Sequence, residues 1–381
     1  MAIPHDVFYK AANLTENPFR SNPSLEKDPR MGIWVGYSDE QERLIKYLHR
    51  SLADEIGNQN LVLIYGSWGT GKSHALLWSH YFVCEKMKST FQSMAFYIST
   101  LKKTKGVMTF LGAFQEDIVS RSSIVKDVLA FKQFLEERII KYKEVKGMGP
   151  EATFDSILPT LLKSTDLINV ARQILECDSE EDVRDLLNPK NDFEAQVLFA
   201  RLTNLFVYEF ELPLGKSRFK KGVYLFIDEM DRLAFSSLKE AREVNDWITH
   251  LYDACSECFG LILAATASTM ELSVIFGPMV LERLGNKKIE LPFMQPQDAK
   301  IFLKDILNTA RIDNTKNVDY FPFAEGAVDE ALSGLVSITP RKIMDRMQQL
   351  LEEVRLADID PSKGIITTQM LDDHNIWEDI G

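Results

Sequence analysis

The sequence predicts an α/β protein: a parallel five-stranded sheet, a helical insertion, and a small α-helical domain near the end. Three observations predict it. Apolar, β-rich runs bounded by turn residues recur at 61–65, 94–98, 223–227 and 261–264, with a more polar fifth at 287–293. Helical patterns alternate with these runs, as in an open parallel sheet covered on both faces. Residues 107–221 are mainly helical in periodicity and too long for an ordinary crossover, so part of this stretch is an insertion. After Gln295-Pro296 the pattern is purely helical to about Leu356.

Taken in order, the first thirty residues are polar and punctuated by Pro4, Pro18, Pro23 and Pro29, which predicts an irregular arm lying over something else. Leu44, Ile45, Leu48 and Leu52 share one helical face. A helical pattern over 73–88 follows the first strand. Within the insertion, Phe131, Phe134, Leu135 and Ile139 form one stripe, and Ala195, Leu198, Leu202, Leu205 and Phe206 another. Turns are expected at 147–150 and 188–191. These boundaries give an arm over 1–30, an α/β core over 31–295 with its insertion at about 107–221, a helical domain over 296–357, and a short polar tail over 358–381.

Composition narrows the function classes. The chain has 381 residues, 45% hydrophobic and 26% charged, which excludes wholesale disorder, collagen and coiled coil. No apolar run approaches the ~20 residues that span a bilayer, and the opening residues lack the basic and apolar regions of a signal peptide. Four cysteines in a chain this long form no disulfide framework, so a reducing, cytoplasmic setting is expected. The net charge of −12 argues against a generally basic nucleic-acid binder but leaves room for one local basic surface.

Gly66-Ser-Trp-Gly-Thr-Gly-Lys72-Ser73 matches G-x-x-x-x-G-K-[ST], the P-loop pattern, between a strand run and a helix. Gly66, Gly69 and Gly71 permit the tight turn that points backbone N–H groups and a helix N-terminus at phosphates. Lys72 supplies a point charge to the β- and γ-phosphates, and the Ser73 hydroxyl completes a Mg²⁺ shell. The nucleotide-binding run takes in Ser67, Trp68, Thr70 and His74 as well; the Trp68 ring either covers the nucleotide or packs, and the His74 and His80 side chains read as structural. Residues 223–227 then lead into Asp228-Glu229, which places Asp228 as a Mg²⁺ ligand and Glu229 as the base for an attacking water.

The Walker A run followed by Asp228-Glu229-Met-Asp231-Arg-Leu233 resembles AAA+ ATPases, and the D-E-x-D-x-L form is similar to their initiator clade. That clade spans origin-recognition/Cdc6-like ATPases and, more loosely, transposition-targeting ATPases. Asn17-Pro-Phe-Arg and Asp28-Pro-Arg-Met-Gly-Ile-Trp-Val-Gly36 are similar to the clade's N-terminal box beside the adenine, with Tyr37 where an Arg is usual. The resemblance covers about residues 17–351 apart from the insertion. It implies ATP and Mg²⁺ as cofactors, Thr266 (with Ser268 second) as the sensor that orients water, Arg283 as an arginine finger acting on a neighbouring subunit, and Arg341 as the lid's phosphate contact. It also implies a homo-oligomeric ring or filament. About forty residues follow Arg341, so no winged-helix domain is expected after the lid.

Two basic clusters interrupt the acidic chain, Lys102-Lys103-Thr-Lys105 and Lys216-Ser-Arg218-Phe-Lys220-Lys221. Either reads as a solvated turn. In the resembled clade, the segment after the second strand faces a channel that holds DNA, which makes Lys102, Lys103 and Lys105 contacts to duplex DNA, summed around an oligomer. Cys255-Ser-Glu-Cys258 has no second pair and predicts no zinc site. Tyr97 reads as core and strand. Ile376-Trp377 either docks a partner or packs. The expected function is an AAA+ ATPase that oligomerises through shared ATP sites and recruits or regulates a DNA-associated machine, as in transposition targeting, a mobile element or defence, with unknown protein partners. The alternatives are an ATP-dependent switch or scaffold with slow or absent hydrolysis, and a P-loop kinase.

Overall fold

The computed structural model describes residues 2–19, 28–101, 103–104, 107–149, 151–212, 215–316 and 319–380. Five strands form one parallel sheet: β1 (Asn60–Gly66), β2 (Met94–Ile98), β3 (Val223–Ile227), β4 (Phe259–Thr266) and β5 (Lys288–Glu290), in the order β2-β3-β4-β1-β5. Met94 pairs with Val223 and Val223 with Phe259, and the register runs on to Ile98, Ile227 and Leu263. The runs expected at 61–65, 94–98 and 223–227 are strands with nearly those bounds. The run at 261–264 is longer than its apolar centre, and that at 287–293 is a strand only over Lys288–Glu290, at the sheet's edge.

The chain divides into two compact units, residues 42–65 with 79–289, and residues 1–41 with 66–78 and 290–381. In the first unit, strand alternation sends Leu61, Leu63, Phe96, Leu225, Ile227, Leu261 and Leu263 into one buried core with Phe131, Leu135, Phe199 and Phe206 of the insertion. The opposite face is buried as well. There the Tyr224 hydroxyl donates to the Leu48 carbonyl at 2.6 Å, and the His80 ring lies 6.2 Å from that of Phe226. Both faces of the strands are apolar because both are covered.

The insertion is helical at Ile124–Lys146, Phe154–Leu161, Thr165–Glu176, Glu180–Leu186 and Asp192–Phe206. Its ends follow local chemistry. Gly147 closes the first helix in the left-handed region, Ser179 and Asp182 form a capping box, and Asn191 accepts the Glu194 N–H at 2.9 Å. The periodicity did not show two short antiparallel pairings, Lys103–Thr104 with Val107–Met108 and Phe210–Leu212 with Gly215–Ser217.

In the second unit, helices Pro296–Thr309, Glu325–Ser333 and Pro340–Leu356 share a core built on Leu303, Leu307, Val328, Ile343, Met347 and Leu351. The arm and tail differ from expectation. His5–Ala11 is a helix whose Phe8 and Tyr9 are buried in this same core. The tail contributes helices Thr368–Asp373 and Ile376–Asp379, with Leu371, Ile376 and Ile380 buried. A few apolar side chains among polar neighbours were enough to dock both segments. Ile376 and Trp377 therefore pack into or against this core. Among the described residues, no helix is long and apolar enough to cross a membrane.

Candidate functional site

The glycine-rich run begins at the last residue of β1. Gly66 has φ +152°, and a Cβ there would lie 2.5 Å from the Leu291 carbonyl oxygen, so no larger residue fits without moving backbone. The Thr70 hydroxyl and the Lys72 ammonium both donate to the Ser67 carbonyl, at 2.9 and 2.8 Å, which ties the loop across its own turn. Lys72 is 7% exposed and opens a ten-residue helix, Lys72–Tyr81, with Ser73 in its first turn. A glycine turn, a buried ammonium and the N-terminus of a full helix form a cradle that fits the phosphates of a nucleotide.

The start of helix Pro340–Leu356 meets this loop. Thr339 caps it by accepting the Lys342 N–H at 3.3 Å, and Pro340 takes the first helical position. Gly69, at φ +81°, brings the loop so close that a Cβ would be 3.0 Å from Thr339 Oγ1 and 3.1 Å from Arg341 Cβ. The Arg341 N–H donates to the Gly69 carbonyl at 3.4 Å. Its guanidinium carbon lies 4.2 Å from the centroid of the Trp68 ring, a cation–π contact. Trp68 is thus neither buried nor idle: 62% exposed, it carries the arginine expected to contact phosphate.

His74 accounts for itself structurally. Its Nε2 donates to the Ile33 carbonyl at 2.7 Å, and burial pushes its pKa below the usual histidine value. Trp34 meets Trp78 edge to face at 4.8 Å, and the Tyr37 hydroxyl donates to the Pro292 carbonyl at 2.8 Å. The Asp28 carboxylate accepts the Arg30 N–H and Nε–H, each at 2.9 Å.

The carboxylates belong to the other unit. Asp228, 5% exposed, follows β3, and its backbone N–H donates to the Ile98 carbonyl at 2.9 Å. Its Oδ1 accepts the Glu229 N–H at 2.8 Å and its Oδ2 the Tyr97 hydroxyl at 3.0 Å. Glu229 sits in the left-handed region, φ +55°, and its carboxylate pairs with Arg232 at 2.7 Å. Asp231 Oδ1 accepts the Thr266 N–H at 2.8 Å, tying the end of β4 to the segment after β3. Ser268 donates instead to Glu271, at 2.8 Å from its hydroxyl. The Ser73 hydroxyl and the Asp228 carboxylate are hard oxygen donors, the type that Mg²⁺ takes.

Arg283, on helix Pro278–Leu284, forks onto Asp253 with contacts of 3.1 and 2.6 Å. Lys102 and Lys105 lie outside the described residues; Lys103 lies in the short strand paired with Val107–Met108. The second basic cluster is spent within the chain: Lys216 pairs with Glu209, Arg218 with Glu209 and Glu257, Lys220 with Asp127, and Lys221 with Asp54. Cys255 and Cys258 are buried free thiols, and burial pushes Cys258 up to about 11. No metal-ligating cluster occurs among the described residues.

The fold has a solved counterpart. The Aeropyrum pernix ORC1 protein, in a structure with DNA, matches at TM-score 0.51 and 14% identity, over 93% of this chain and 68% of that one. The chain shares the α/β fold of that protein, in keeping with the AAA+ fold expected from its motifs. Weaker likenesses are the ADP form of Aeropyrum pernix ORC2 (TM-score 0.48, 12% identity, 95% of this chain and 71% of that) and Cdc6p from Pyrobaculum aerophilum (0.44, 12%, 96% and 69%). No protein-family model and no curated protein matches the sequence.

Within this fold, sequence reasoning missed three relationships: Tyr97 with Asp228, Asp231 with Thr266, and Trp68 with Arg341. Each joins residues more than 30 positions apart. The one available signal was a tyrosine, polar at its tip, near the end of an otherwise apolar strand run.

Proposed function

We propose that this protein is an AAA+ ATPase that hydrolyses Mg²⁺·ATP at sites shared between subunits and recruits or regulates a DNA-associated machine. The observation that carries the proposal is the Gly66–Ser73 cradle, with buried Lys72 at the head of a helix and Arg341 brought onto Trp68 beside it. Bound Mg²⁺·ATP supplies the phosphoanhydride and neutralises charge on the phosphate oxygens.

The chain's own groups supply the rest. Lys72 and the loop N–H groups hold the β- and γ-phosphates, Ser73 and Asp228 offer oxygens to the metal, and Arg341 reaches the γ-phosphate. Glu229 takes a proton from the attacking water, and Thr266 orients that water. Arg283 of a neighbouring copy stabilises charge that spreads in the transition state, which makes the assembled form the active one. The DNA role rests on Lys102, Lys103 and Lys105; the ORC1 structure of similar fold is a complex with DNA.

One observation favours a second reading, an ATP-dependent switch or scaffold that hydrolyses slowly. Glu229 is paired with Arg232 at 2.7 Å, which commits one of its two carboxylate oxygens. Turnover by wild type and Glu229→Gln, with and without duplex DNA, separates the two. Wild-type hydrolysis that Glu229→Gln abolishes while ATP binding survives supports the ATPase; ATP binding without hydrolysis in either protein supports the scaffold. Charge reversal of Lys102, Lys103 and Lys105 tests the DNA contact, which is wrong if affinity and salt slope are unchanged.

A further inference from the structure

We propose that Trp68 is a positioning residue for ATP over ADP: its ring is the platform that holds the Arg341 guanidinium ready for a terminal phosphate. The inference rests on the nucleotide site proposed above and assigns that site's discrimination between triphosphate and diphosphate to a residue of the loop's variable part.

Arg341 is anchored at the base of its side chain. Thr339 caps the helix, Pro340 fixes its first backbone angle, and Arg341 follows in the first turn, with its N–H on the Gly69 carbonyl at 3.4 Å. The base of the side chain is therefore fixed against the glycine loop. An arginine side chain otherwise has many rotamers, and that freedom would be lost on gripping a phosphate. The Trp68 ring, 4.2 Å from the guanidinium carbon, removes part of that freedom beforehand. Stacking uses the face of the guanidinium, whereas phosphate is gripped by its N–H edge, so one arginine makes both contacts together. A ring that is 62% exposed is little used by the core, and its contact with Arg341 is the function the structure gives it.

Pre-organising an arginine for the γ-phosphate strengthens ATP binding and leaves ADP binding alone, since ADP lacks that group. An exposed cation–π contact corresponds to roughly a two- to fivefold change in affinity. The experiment measures ATP-analogue and ADP affinities by calorimetry for wild type, Trp68→Ala, Trp68→Phe, Arg341→Ala and the double variant Trp68→Ala/Arg341→Ala, with melting temperatures as a check on folding. Trp68→Ala is expected to lower the ATP:ADP affinity ratio about two- to fivefold, and Trp68→Phe to restore most of it. In the Arg341→Ala background the same change should leave the ratio unaltered. A Trp68→Ala ratio equal to that of wild type overturns the proposal, as does an equal loss of both affinities or a full effect without Arg341. Wild-type protein that binds neither nucleotide overturns the nucleotide reading itself, and this inference with it.

Discussion

The Tyr97 hydroxyl donates to Asp228 Oδ2 at 3.0 Å, so the carboxylate after β3 is held from the neighbouring strand β2. The Glu229 N–H occupies the other oxygen at 2.8 Å. Burial and the adjacent carboxylate push the Tyr97 pKa upward, which keeps the phenol a donor at any physiological pH. A buried carboxylate that keeps two donors has its orientation set before any ligand arrives.

Removing that donor should be felt twice. Tyr97→Phe leaves Asp228 short of one partner at 5% exposure and is expected to cost about 1–2 kcal/mol in a urea titration. The Mg²⁺ concentration for half-maximal ATP turnover should also rise severalfold. A variant as stable as wild type, with unchanged Mg²⁺ dependence, would show that the hydroxyl does not set the carboxylate.

At Gly66 a single added methyl group would meet backbone. The contact of 2.5 Å that a Cβ would make is to a backbone carbonyl, which cannot swing aside as a side chain can. Gly66→Ala should destabilise the protein by on the order of 2–3 kcal/mol, measured by thermal or chemical unfolding, and weaken nucleotide binding. Gly147→Ala, in open space but at φ +61°, should cost only about 1 kcal/mol.

Acid should weaken the fold through His74 and His80. Burial lowers both pKa values below the usual histidine value, so the unfolded chain binds protons that the native protein resists. Their contribution is fully present above about pH 6.5 and is lost as pH falls through the lower native values. Urea midpoints should therefore drop between about pH 7.5 and pH 5, and His74→Gln should flatten that slope. An unchanged slope in the variant would remove His74 from the account.

Arg283 offers a test of cooperation between copies. Its pair with Asp253 is partly exposed, so Arg283→Ala should cost under about 1 kcal/mol of stability. Turnover of the assembled protein should nonetheless fall by about 10³, while ATP binding at high dilution stays the same. Equal turnover in variant and wild type would leave Arg283 as a surface ion pair and support a monomeric mechanism.

How far the sequence carried depended on the kind of requirement each residue meets. The glycine turn at Gly66, Gly69 and Gly71 and the helix that opens at Lys72 were legible because a tight turn into a helix imposes its demands at fixed spacing along a few adjacent residues. The strands at 94–98 and 223–227 were legible because burial on both faces leaves an uninterrupted apolar run. Phe8 and Ile376 were not: each lies in a polar, irregular-looking segment, and the core that buries them is contributed by helices hundreds of residues away in one case and by helix Pro340–Leu356 in the other. The basic cluster at 216–221 was visible as charge, but only the fold showed that Glu209, Asp127 and Asp54 neutralise it.

The amino-acid sequence by itself determined the glycine-rich turn after β1, the acidic end of β3 and the alternation of strands and helices, because short-range sterics and burial write these into neighbouring positions. Tertiary structure alone decided that Tyr97 holds Asp228, that Asp231 holds the end of β4, and that Arg341 rests on Trp68. Hydrogen bonds and ring contacts form between atoms a few ångströms apart, whatever the length of chain that separates them, and only the packed core brings such residues together.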